Sequence, residues 1–92
     1  MNSKFTSLDL SKNIALTNLF CQSNLTKLDV SNNKVLTRLV CNYNQLTGSA
    51  LNALFESLPD NAGKKFIYIH GNPGAEDCNL SIAERKGWSD KE

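Results

Sequence analysis

The chain has 92 residues, with ten Lys and Arg against nine Asp and Glu, a net charge of +1 and 40% hydrophobic content. Such a length makes one domain, and scattered charges of nearly zero sum exclude the basic patch of a nucleic-acid binder. No apolar run approaches the ~20 residues needed to span a bilayer, so membrane insertion is not expected either.

In chain order, residues Met1 to Lys4 form a lead-in with no apolar h-region, so no signal peptide is read in this chain. Phe5, Leu8, Leu10 and Asn13 then set a frame that returns 20 residues later at Leu25, Leu28, Val30 and Asn33. Interleaved with it, Leu16, Leu19, Cys21 and Asn24 return as Leu36, Leu39, Cys41 and Asn44, again 20 apart. Residues one period apart are expected to stack. A short chain buries little as a globule, but stacked coils cover one another's apolar interiors, and each buried Leu or Phe is worth roughly 1.5–3 kcal/mol.

Parallel strands are expected near 19–21 and 39–41 on one long side, with 8–10 stacked on 28–30 as a second extended side. The asparagines are expected to turn inward, Asn13 over Asn33 and Asn24 over Asn44, bonding backbone groups freed where the chain leaves the strand. Cys21 and Cys41 share one inward position. Their parallel Cβ vectors suit a disulfide poorly, so both read as buried free thiols. With no C-x-x-C pair and His70 as the single histidine, no zinc site and no cofactor are expected.

After Asn44 the pattern changes. Leu51, Leu54, Phe55 and Leu58 recur at helix spacing, Thr47 or Ser49 can serve as N-cap, and Pro59 stops the run. The helix is expected near 49–58. Phe66 to His70 alternates as a strand, and Ile67, Ile69 and Asn72 restore the repeat offsets, so 67–69 forms the third rung of the sheet. Asp77 is expected to cap a last helix over 77–86, ended by Gly87, with Trp88 folding back and Cys78 packed inside. No comparable cap precedes Phe5, and an open sheet edge is an association hazard. Self-association through that edge, or membership in a longer protein, is expected.

Apolar residues at offsets 1, 4 and 6 with Asn at 9 are the leucine-rich repeat signature. LTKLDVSNN and LTRLVCNYN resemble the alternating half-units of leucine-rich repeat proteins of Bacteroides and related bacteria. The segment 36–72 is similar to the 28-residue ribonuclease-inhibitor-type repeat, and IYIHGNPGAEDCNLSIAERKGW resembles the last repeat and cap of the bacterial group. The resemblance implies a secreted or surface-attached protein that binds a protein or glycan ligand. The step from Leu16 to Leu25 is one residue shorter than usual in such repeats, which tightens that corner. The expected fold class is α/β: a right-handed leucine-rich repeat solenoid with a parallel sheet and a C-terminal helical cap. One domain spans 1–92, with short repeats over 5–44, a longer strand–helix–strand repeat over 45–72 and the cap over 73–92.

Function is expected on the outward side of the sheet. Strand alternation places Asn18, Arg38 and Phe66 in one row, Phe20, Val40 and Tyr68 in the next, and Gln22, Asn42 and His70 in the third. Large aligned residues flanked by Arg38 and amides have the composition of a binding patch with a polar rim. Cross-strand packing is the alternative, and a structural capping module without a ligand of its own is the alternative function. Asp9 above Asp29, beside Lys27, suits two solvated carboxylates better than a calcium site. Thr17 over Thr37, and Thr6 over Thr26, read as structural hydroxyl ladders. Catalysis is not expected, since a Cys78–His70 pair would be separated by a turn and lacks an oxyanion motif.

Overall fold

The computed structural model describes residues 8–22, 24–61 and 63–90. Strands β1 (Asn18–Phe20), β2 (Arg38–Val40), β3 (Lys65–Tyr68) and β4 (Trp88–Ser89) form one parallel sheet in the order β1-β2-β3-β4. Helix α1 (Gly48–Ser57) connects β2 to β3, and the short α2 (Ser81–Glu84) precedes β4. Parallel neighbours oblige the chain to travel back between strands, and here it does so by turns once and by helices twice.

Register follows the period read from the sequence. Leu19 pairs with Leu39 and Leu39 with Ile67, so residues 20 and then 28 apart share a column. The return path repeats as well. Asn13 N donates to Leu10 O at 3.0 Å and Leu16 N to Asn13 O at 3.2 Å; Asn33 N to Val30 O and Leu36 N to Asn33 O have the same two lengths. Equal sequence frames therefore give equal turns.

The core collects Leu25, Leu28, Val30, Leu36, Leu39, Cys41, Leu46, Ile67 and Trp88 with the inner face of α1, Leu51, Leu54 and Phe55. Helix α1 starts where Thr47 Oγ1 accepts from Ala50 N at 3.2 Å, one residue ahead of the expected 49. Its far end is held from outside: Lys86 Nζ donates to Leu58 O at 3.0 Å and Trp88 Nε1 to Pro59 O at 2.8 Å. The cation thus satisfies the C-cap carbonyl that the helix end leaves without an intrahelical partner, and the indole N–H anchors the residue after it. Gly74 seats the last turn against the start of α1, where a Cβ would lie 2.0 Å from Gly48 N.

Several expectations are corrected. The strands begin one or two residues earlier than 19–21, 39–41 and 67–69, leaving Cys21 and Cys41 just past their ends. Residues 8–10 and 28–30 form no strand; the turns at 11–12 and 31–32 bring the chain round before a ladder can form. Asn13 and Asn24 are exposed rather than inward, because the buried asparagines reach toward the coil before them and these two belong to the first described coil. Asp77 does not cap a helix over 77–86. Its N–H closes a turn on Gly74 O at 3.0 Å, the helix shrinks to Ser81–Glu84, and Asn79 Oδ1 accepts from Ser81 N at 3.3 Å instead. Strand β4, where Trp88 pairs with Lys65 and Ser89 with Phe66, was not expected at all. Phe5 and Thr6 lie outside the described residues.

Candidate functional site

The outward rows assemble as strand alternation requires. Asn18, Arg38 and Phe66 pair across β1, β2 and β3, and so do Phe20, Val40 and Tyr68. Ser89 extends the first row onto β4, a member the sequence reading missed because a two-residue strand carries no periodicity. The third row, Gln22, Asn42 and His70, follows the strand ends; Asn42 Oδ1 accepts from His70 N at 2.7 Å and ties two of its members together.

Exposure across the middle row is uneven. Phe20 is 66% exposed, whereas Val40 and Tyr68 are half-buried, which corrects the expectation of a uniformly exposed row. Tyr68 is partly covered by Arg38, whose guanidinium carbon lies 5.5 Å from its ring centre and 5.8 Å from that of Phe66. Such stacking over two aromatic faces is worth roughly 0.5–1 kcal/mol at exposed sites. It holds a cation on a face whose three rows contain no carboxylate.

Tyr43 completes the site and was not singled out from the sequence. It is 54% exposed and its backbone is left-handed, φ 59°, a conformation that costs a bulky residue free energy. Gly71, the residue 28 positions on, occupies the matching corner of the next coil with φ 80°. A Cβ on Gly71 would meet Tyr43 Cδ1 at 2.3 Å. The Cδ1–Cε1 side of the ring therefore lies close against this glycine, and the ring centre is 5.5 Å from that of His70 in an edge-on contact. A signal was present: where the longer repeat has glycine, the shorter one carries an aromatic. Phe20, Cys21, Gln22, Val40, Asn42 and Tyr43 line an open cleft of about 230 Å³ on this face.

The remaining candidates divide. Asp9 and Asp29 line one wall cleft with Lys27, yet each carboxylate serves its own turn, accepting from Ser11 N at 3.0 Å and Ser31 N at 2.7 Å. The serine hydroxyls and then these amides hold both carboxyls below the usual range. Among the described residues no group of three or more His, Cys, Asp or Glu is placed to hold a metal ion. Thr37 Oγ1 donates to Thr17 O at 3.3 Å, so that pair is a hydroxyl–carbonyl bond and not a hydroxyl ladder.

Cys41 is buried and Cys21 half-buried, and both are free. Burial pushes the Cys21 thiol up to about 11 and the Cys41 thiol up to about 12. Contrary to expectation, Cys78 is only half-buried and shares a cleft with His70, Tyr68 and Asp90. Its Sγ donates to Ala75 O at 3.4 Å, and desolvation raises its pKa. That direction opposes the lowered pKa of a nucleophilic thiolate.

Among the described residues no helix is long and apolar enough to cross a membrane. In comparisons with family models, curated proteins and solved structures, the chain finds no match.

Proposed function

We propose that the chain is a leucine-rich repeat solenoid unit whose outward sheet face recognises a protein or a glycan without catalysis, in a secreted or surface-attached bacterial protein. The observation that carries the reading is Phe20. A large apolar ring two-thirds in water, in register with Val40 and Tyr68, contributes little to a core and is available to a partner. Arg38, stacked on Phe66 and Tyr68, and the amides of Asn18, Gln22 and Asn42 supply a polar surround of the kind that rims binding patches. The alternative reading, a capping module with no ligand, predicts that the same row only packs.

The double variant Phe20→Ser, Tyr68→Ser separates the two, tested against a glycan array and a panel of purified host surface proteins. Recognition requires that some member bind the parent chain and be lost in the variant while the thermal midpoint holds. A variant that melts as a core truncation does, with every interaction unchanged, establishes packing.

A further inference from the structure

The cleft at Phe20, Val40 and Tyr43 differs from the rest of the sheet face in one respect. Its six lining residues, Phe20, Cys21, Gln22, Val40, Asn42 and Tyr43, include no charged side chain. Two of its aromatic side chains are more than half in water, 66% and 54% exposed, and Val40 and the amides of Gln22 and Asn42 line it with them. We propose that this cleft binds the ring of a neutral sugar. The proposal rests on the reading of the sheet face as a recognition surface and names the chemistry of the ligand.

Each feature suits such a ring. Aromatic faces carry negative quadrupole density and accept the polarised C–H groups of a pyranose, as in other weak C–H contacts. A hydroxyl is both donor and acceptor, and so is a primary amide, so Gln22 and Asn42 match the edge of a sugar in a way that a carboxylate or an ammonium does not. Asn42 Oδ1 accepts from His70 N at 2.7 Å, which fixes the amide and leaves its Nδ2 as the group to meet a sugar hydroxyl. A protein anchor, by contrast, is best received in a well-packed, fully desolvated pocket, and this cleft is open, at about 230 Å³. An anionic ligand would be drawn to Arg38, which does not line it.

The backbone of Tyr43 shows how the second ring is held in place. A left-handed tyrosine is held where the matching position of the next coil is Gly71. A left-handed residue recurs where the chain leaves each strand, at Asn24 with φ 59° and Gly71 with φ 80°, so the turn itself demands the conformation and Tyr43 bears its cost. The glycine is also what admits the ring, since any Cβ there would strike it. The side chain is thus held in place by its neighbours at a backbone cost that glycine would avoid.

The test titrates the full chain with neutral oligosaccharides of glucose, mannose and galactose, and in parallel with uronic-acid oligosaccharides, following backbone amide shifts. The expected result is binding of at least one neutral oligosaccharide, unchanged at high salt because no ion pair is screened. Tyr43→Gly and Phe20→Ser should each weaken it about tenfold, and Tyr43→Phe should keep it. Tyr43→Gly relieves the backbone strain, so its thermal midpoint serves as a control for folding. Neutral-sugar binding that ignores both ring deletions overturns the proposal. Capture only of uronic-acid oligosaccharides or of a protein, lost in Phe20→Ser, Tyr68→Ser, overturns the sugar and leaves the sheet-face reading standing. Binding of no oligosaccharide overturns the sugar, and the sheet-face reading falls with it only when the panel of purified surface proteins also goes unbound.

Discussion

Three asparagines show how one residue type closes a coil. Asn44 Nδ2 donates to Cys21 O and Cys41 O at 3.0 Å, and its Oδ1 accepts from Leu25 N at 3.0 Å. Asn72 repeats the arrangement one coil on, with Cys41 O, Ile69 O and Leu46 N at 2.9, 2.8 and 3.2 Å. Asn33 makes the donor half, to Asn13 O at 2.8 Å and Leu10 O at 3.2 Å, while its buried Oδ1 has no partner among the described residues. Each amide therefore ties its own coil to the one before it. Asn44→Ala should destabilise the fold by about 1–3 kcal/mol, the cost of buried polar groups left unpaired. Asn13→Ala, at an exposed side chain, should stay within about 0.5 kcal/mol. Urea unfolding of the two variants checks this, and equal effects would count against the ladder. The offset of these asparagines is legible in the sequence. Which of them are buried is not, because that depends on whether another coil lies beneath.

Elements here are short and depend on tertiary partners. Helix α1 could be read from Leu51, Leu54, Phe55 and Thr47 because periodicity and cap lie within one continuous segment. Strand β4 has two residues and exists because Trp88 is drawn into the core, 1% exposed, with its Nε1 anchored to Pro59 O 29 residues away. The same burial sets Lys65, 2% exposed, opposite Trp88, where its Nζ donates to Asn61 O. Trp88→Phe should keep the packing and lose the indole bond, at about 1 kcal/mol. Trp88→Ala should cost about 3–5 kcal/mol by leaving a cavity. Thermal unfolding of the pair measures the difference, and equal costs would show that packing contributes nothing beyond the hydrogen bond.

Across the whole molecule, burial rises along the stack. Leu8, Leu10, Leu16, Leu19 and Cys21 are only partly buried, whereas Leu28, Val30, Leu36, Leu39 and Cys41, one period on, are in the core. Among the described residues β1 is the sheet edge at that end, and Ile14, 67% exposed, lies in the same coil. An apolar end beside an edge strand invites another strand. Sedimentation should show concentration-dependent association, suppressed by Ile14→Lys at the exposed side chain; a chain that stays monomeric at millimolar concentration would count against this edge. The radius of gyration, 12.1 Å, matches the roughly 12 Å expected of any compact domain this long, so the α/β fold is a compact body and not an elongated one.

From the sequence alone came the stacking period, the columns of Leu19, Leu39 and Ile67, the helix behind them, and the rows Asn18–Arg38–Phe66 and Phe20–Val40–Tyr68. All of these are repetitive, and repetition places residues without knowledge of distant contacts. The tertiary structure alone decided the exposure of each row, since Arg38 covers Tyr68 but not Phe20. It also decided which asparagines are buried, the conversion of Trp88 into a fourth strand, and the seat of Tyr43 over Gly71. Each of these depends on what a neighbouring coil presents at close range, and no period in a single chain encodes that.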